Sequence, residues 1–216
     1  MRTRYVSWDE AVELFERRGL PESSYENLYN EEYILVTGPD LVIDGDLRLT
    51  GHAGDHPFAA DTPEAATGYI VDGDLTVRGN LFDEDDGAAA LVVLGSLKTR
   101  DIFLWCDPKL IVLGDVHADL FAGEMTDKLV MLHGDLRTRA VVLDDEFEPD
   151  LVQGTVHGRL VAPSYVELTA EDPDPDAPLS DILAAEVLKK NGRKPDIEAL
   201  RDHVHSGRPV LVTRSA

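Results

Sequence analysis

Aliphatic residues recur along this chain at every second position around a glycine, and the whole pattern returns after about twenty residues. Six short stretches share it: VIDGDL (42–47), IVDGDL (70–75), VVLGSL (92–97), IVLGDV (111–116), MLHGDL (131–136) and LVQGTV (151–156). Their glycines, Gly45, Gly73, Gly95, Gly114, Gly134 and Gly154, lie 28, 22, 19, 20 and 20 residues apart. Two residues before each glycine stand Ile43, Val71, Val93, Val112, Leu132 and Val152; two after stand Leu47, Leu75, Leu97, Val116, Leu136 and Val156. Alternation with period two is the mark of a strand with one inward face. A further apolar column seven residues after the glycine, Ile102, Phe121, Val141 and Val161, adds a second wall in the later copies.

A turn of about 20 residues cannot bury its own inward face, so neighbouring copies must stack in parallel ladders about 4.8 Å apart. The pattern therefore predicts an all-β core, a single-stranded parallel β-helix of about six rungs. Chain chirality makes it right-handed. The glycine column marks a bend or a close backbone approach.

Both ends read as helical. Ser7-Trp8-Asp9-Glu10 is a capping box, and Gly19 with Pro21 stops the helix it starts; this short helix is expected to cap the open first rung. After the last rung, EDPDPDAP reads as an extended acidic linker. LSDILAAEVLKKNG then predicts a helix with Ser180 at its N-cap, and a second helix follows Pro195 through Ile197, Leu200 and Val204. PVLV, Pro209 to Val212, adds a short strand. The expected organisation is a cap and lead-in over 1–38, a β-helix over 39–170 with insertions at 52–68 and 82–90, the linker at 171–178, and a helical appendage over 179–216.

The odd positions carry the surface chemistry. Just after the glycine come Asp46, Asp74, Ser96, Asp115, Asp135 and Thr155. Two further outward columns hold Arg48, Lys98 and Arg137, then Arg78, Arg100, Arg139 and Arg159, which together are seven of the chain's 20 lysines and arginines. The chain as a whole is acidic, with 42 Asp and Glu and a formal charge of −22. Such a field disfavours nucleic acid as a general partner and permits a basic protein. The bases have two readings: cross-strand neutralisation by the aspartates and acidic loops, or a stripe for a polyanion, an acidic protein surface or the chain's own acidic tail. Three residues before each glycine, Val42, Ile70, Val92, Ile111, Met131 and Leu151 form an apolar column that faces outward if alternation holds. It must be covered, either by the chain's own helices or by a second subunit in a homodimer; the C-terminal helices offer another homodimer contact.

Candidate chemistry is sparse. His117 and His157 share a column but stand two rungs apart, about 9.6 Å, too far for one zinc ion. HAGDH (52–56) reads as a polar loop, and His203 and His205 diverge on a helix. FDEDDG (82–87) lacks the calcium-loop glutamate, since the required position is Leu94. No GxSxG or phosphate-loop motif occurs, and the single cysteine, Cys106, reads as a packed thiol. No catalytic residue, metal site or cofactor is nominated. One cysteine, no long apolar run and no apolar leader together lead to the expectation of a cytoplasmic protein without a membrane segment.

VIDGDLRLTG, IVDGDLTVRGN and IVLGDVHADLFAG resemble the repeating turns of bactofilins, polymer-forming bacterial cytoskeletal β-helices. The likeness covers about residues 41 to 162. It implies a right-handed β-helix that polymerises end to end. Rungs near 20 residues, long early insertions and flanking helices depart from that pattern. The leading functional expectation is a non-enzymatic β-solenoid protein-interaction module, binding or inhibiting a basic protein. The alternatives are a bactofilin-like self-assembling protein and an enzyme acting on an acidic glycan.

Overall fold

Parallel strands stack into a β-solenoid with three faces, in a computed structural model that describes residues 1–39, 41–49, 57–58, 67–83, 89–125 and 127–213. HAGDH and most of FDEDDG lie outside the described residues. The first face stacks Tyr33–Thr37, Gly68–Val71, Ala90–Val93, Lys109–Val112, Leu129–Leu132 and Leu151–Val152. The second stacks Leu41–Ile43, Leu75–Val77, Leu97–Lys98 and Val116–His117, followed by the starts of Leu136–Asp144 and Val156–Val161. The third stacks Leu47–Leu49, Leu81–Asp83, Asp101–Trp105 and Leu120–Glu124, then the ends of those same two long strands. Inward residues from all three faces meet inside: Val71, Val93, Val112, Leu75, Leu97, Val116, Leu136, Ile102 and Phe121 belong to one buried cluster.

The corner between the first and second faces explains the glycine column. A Cβ on Gly95 would lie 2.5 Å from the carbonyl carbon of Gly73, one on Gly134 2.5 Å from Gly114 O, and one on Gly154 2.4 Å from Gly134 O. Backbones pass too close there for any side chain. Gly73, which begins this column, is needed for its φ of 144° instead.

Register corrects the first copy of the repeat. Gly45 does not stack on Gly73; it lies at the next corner, where a Cβ on Gly79 would meet the Gly45 carbonyl at 2.5–2.6 Å. Leu41 pairs with Leu75, Ile43 with Val77 and Leu47 with Leu81, while Val36 takes the place beside Val71 that the repeat gave to Ile43. VIDGDLRL is thus a copy of TVRGNLF, and parallel stacking begins at Tyr33–Thr37, inside the expected lead-in. Near the other end, a β-bulge between Arg137 and Ala140 shifts the register, so Leu160 rather than Val161 continues the Phe121–Val141 column.

The flanks come from the chain's own ends. The N-terminal helix, Trp8–Arg18, has the expected capping box, Ser7 Oγ accepting from the Glu10 N–H at 3.3 Å, and ends at Gly19 with φ 78°. It does not plug the end of the solenoid. Ala11, Leu14 and Phe15 lie flat on the first face over Ile70, Val92 and Ile111, and Arg18 grips Asp72 at 2.6 Å. At that end Arg2–Val6 pairs antiparallel with Tyr33–Thr37 and covers the first-face edge, while Leu41–Ile43 and Leu47–Leu49 are the edge strands of the other two faces.

At the opposite end, partly buried Val166, Leu168 and Ala170 pack against the inner core, and Glu171 continues the hydrogen bonding of the last coil through Val156 O at 2.8 Å and the Gly158 N–H at 3.0 Å. The segment after Pro178 is not the expected helix. It makes only short 3₁₀ turns at Leu179–Asp181 and Ala185–Val187, because residues 210–212 claim its backbone: Ala184 N–H donates to Val210 O and Val212 N–H to Ile182 O, both at 2.9 Å. PVLV therefore contributes a single bridge, Leu183 with Leu211, rather than a strand. The second expected helix forms as Ile197–His205, with Asp196 as its N-cap. Leu183, Val187, Leu200, Val204, Val210 and Leu211 together cover the third face over Phe82, Phe103, Leu120, Ala122 and Val142.

Candidate functional site

With the first and third faces covered, the outward residues of the second face stay open. Its outward column runs Val42, Thr76, Lys98, His117, Arg137 and His157 in continuous register. Lys98, His117 and Arg137 are exposed. The corner leading into this face is built by the Gly-Asp pairs. Asp74 Oδ1 accepts the Ser96 N–H at 2.7 Å, Asp115 Oδ1 the Asp135 N–H at 2.9 Å, and Asp135 Oδ1 the Thr155 N–H at 2.9 Å. Asp46 does the same for Asn80 at the next corner, at 2.7 Å.

Each carboxylate thus ties one coil to the backbone of the next. Only the remaining oxygen is left for pairing with bases, as where Asp135 Oδ2 meets Arg137 and stands 3.6 Å from His157 Nε2. The Thr155 N–H, then Arg137 and His157, hold the Asp135 carboxyl below the usual carboxylate range against a smaller burial effect.

The seven bases of the expected stripe separate into three groups. Arg78, Lys98, Arg100 and Arg137, with His117, line one open depression of about 550 Å³ on the second face, with Asp119 at its rim. Arg78 is paired with Asp44 at 2.6 Å, and Arg100 donates to Asn80 Oδ1 at 2.8 Å. Lys98 has no ion pair among the described residues. Arg139 and Arg159 are instead bound by the chain's own C-terminal segment. Arg139 donates to Val212 O at 2.9 Å, while Arg159 grips Asp172 and the carbonyls of Asp174 and Ala177, so the acidic linker folds onto one end of the stripe. Arg48 belongs to neither group. The register correction puts it on the third face, its guanidinium 5.6 Å from the Phe82 ring centroid.

The apolar column also changes at its first member. Ile70, Val92 and Ile111 are fully buried under the N-terminal helix, and Met131 packs at the edge of the same cluster. Leu151 continues the ladder half-buried beside Met131. Val42 is not in this column; it sits on the second face, exposed, and Leu35 pairs with Ile70 in its place.

Both shifts were legible in a different alignment of the sequence. LVIDGDL matches LTVRGNL from Leu41 and Leu75, and ILVTGPDL from Ile34 matches YIVDGDL from Tyr69 with one extra residue.

Sequence reasoning missed two buried acids among the described residues, Asp83 and Asp101. Asp101 is an outward residue of the third face, held under the C-terminal segment with its side chain only 3% exposed. Burial pushes its carboxyl up to about 7; Arg100, whose Nε is 3.5 Å away, pulls down, and Asp119 pushes up. Its Oδ1 has no hydrogen-bond partner among the described residues. Cys106 is buried, with Sγ 3.8 Å from Met125 Sδ. No helix among the described residues is long and apolar enough to cross a membrane. Comparison with family models, curated proteins and solved structures finds no match to this chain.

Proposed function

We propose that the protein is a non-enzymatic interaction module, a right-handed solenoid of about six rungs that offers its second face to a protein partner. One observation carries this reading: four bases and a histidine gather on the one strand face that the chain's own helices leave uncovered. Two segments favour a discrete module over end-to-end, bactofilin-like assembly: Arg2–Val6 lies antiparallel on the first coil, and residues 166–170 pack on the last, so each occupies a place that a further parallel coil would need. The strongly acidic remainder of the molecule suits an inhibitory role against a basic protein that also carries an acidic segment, the segment meeting the second face and setting the orientation. The glycan-enzyme reading is weaker. Its best acid, Asp101, is buried beneath the C-terminal segment, out of reach of a chain lying on the surface.

Affinity capture from native lysate tests the proposal, comparing the wild type with Lys98→Glu/Arg137→Glu. The expected result is one stoichiometric protein held by the wild type and lost by the variant, with the variant's melting temperature unchanged. A partner retained equally by both would move the binding surface elsewhere.

A further inference from the structure

We infer that the depression on the second face binds an extended acidic peptide segment in the polyproline II conformation, with a carboxylate at every third residue, lying along the solenoid axis. This rests on the reading of the second face as the binding surface and names its ligand class. The geometry points to it through spacing. Lys98 and Arg137 occupy one outward column, with the intervening strand supplying His117. Two strand intervals separate them by about 9.6 Å. A polyproline II helix rises about 3.1 Å per residue, so carboxylates three residues apart recur every 9.3 Å or so on one side. A β-strand recurs on one side at about 6.7 Å and an α-helix at about 5.4 or 10.8 Å, each further from 9.6 Å than the polyproline II repeat.

Charge density selects peptide over nucleic acid. From Thr76 to Arg137 the face crosses three strand intervals, about 14 Å. Duplex DNA would bring roughly eight phosphates across that span, against Arg78, Lys98, Arg100 and Arg137 with Asp119 among them. An acidic residue at every third position brings about two, one for each of the column bases.

The adjacent Arg78 can donate to a second row of acceptors, while Arg100 is engaged through Nε by Asn80 and Asp101. Among the described residues Arg78 is held by Asp44 alone, in a pair whose side chains are 67% and 81% exposed, an arrangement that exchanges readily for a ligand. Arg137 shares Asp135 with the corner, and Asp135 keeps its Thr155 N–H bond when the guanidinium turns outward.

Fluorescence anisotropy with labelled (Glu-Pro-Pro)₅ tests the inference on the full chain, with (Gln-Pro-Pro)₅ and a 15-nucleotide single strand as competing probes. Two double variants carry the same charge change: Lys98→Glu/Arg137→Glu on the face, and Lys189→Glu/Lys190→Glu on exposed positions of the C-terminal segment. A circular dichroism melt checks that both fold. The glutamate peptide is expected to bind the wild type, to lose at least tenfold in affinity with the face variant and less than threefold with the control, while the glutamine peptide does not bind.

Equal losses in both variants would reduce the effect to net charge and overturn the inference. So would equal binding of the two peptides, tighter binding of the oligonucleotide, or no binding of the glutamate peptide up to about 1 mM. If the peptide fails while the captured partner is still released by Lys98→Glu/Arg137→Glu, the binding face stands and only its ligand class is wrong.

Discussion

The first and second faces of this solenoid are cut from the same coils, carry the same kind of inward aliphatic residue and meet at the same glycine corner, yet one is sealed and the other open. The difference lies wholly in the outward positions. On the first face these are Ile70, Val92 and Ile111, and the N-terminal helix lies across them; on the second they are Thr76, half-buried, and Lys98, His117 and Arg137, which stay exposed. Inward alternation makes the solenoid, whereas the alternate positions decide which walls become interfaces within the chain. The third face repeats the lesson, with Phe82, Phe103, Ala122 and Val142 drawing the C-terminal segment onto it.

A matched pair of substitutions in one coil should break that symmetry most sharply. Ile111→Asp puts an unpaired carboxylate beneath the N-terminal helix and is expected to cost about 4 kcal/mol or more. His117→Asp, six residues later on the open face, should stay within about 0.5 kcal/mol. Chemical denaturation of the two variants side by side measures the contrast.

Asp101 is the exception that sharpens it, an acid placed on a covered face. Its folded carboxyl lies at about 7 against an ordinary 3.8. Between those values the folded state keeps a proton that the unfolded chain has released, so raising the pH favours unfolding across that window. Stability should fall from about pH 4 to pH 7 by an amount on the order of 2–4 kcal/mol, and level off above. Asp101→Asn, which stays neutral, should flatten that slope in melting curves taken across the range.

At the corner the faces share, smaller effects follow. Gly134→Ala would force a methyl to within 2.5–2.6 Å of the Gly114 backbone, and is expected to cost about 1–3 kcal/mol in thermal unfolding. Asp74→Ala removes the acceptor for the Ser96 N–H and should cost about 1 kcal/mol, while Asp74→Glu, too long for the corner, should not restore it.

Much of this architecture was legible in the sequence because the period-two alternation and the glycine column report directly on stacking. From the second copy onward the columns read from the chain match the pairing through Val71, Val93, Val112 and Leu132, and through Leu75, Leu97, Val116 and Leu136. The first copy misled because two different corners carry glycine followed by a short polar residue. Gly45-Asp46 imitates Gly73-Asp74 while belonging with Gly79-Asn80. That slip put Arg48 in the basic column and Val42 in the apolar one.

The C-terminal segment misled for a physical reason too: LSDILAAEVL has helical periodicity, but its backbone groups bond to residues 210–212, a long-range choice that no local pattern records. Of the candidate site, the basic residues themselves were visible. Their division between an open depression and a patch held by the acidic linker was not, since it depends on where the chain turns back after Glu171.

The central claim is that segments of this chain cover two of its three faces and sit against its first and last coils, which favours a single copy in solution. Multi-angle light scattering over a wide range of concentration and salt tests it most directly. The expected result is a constant mass near 23.7 kDa; a stable dimer, or a mass that grows with concentration into polymers, would contradict it.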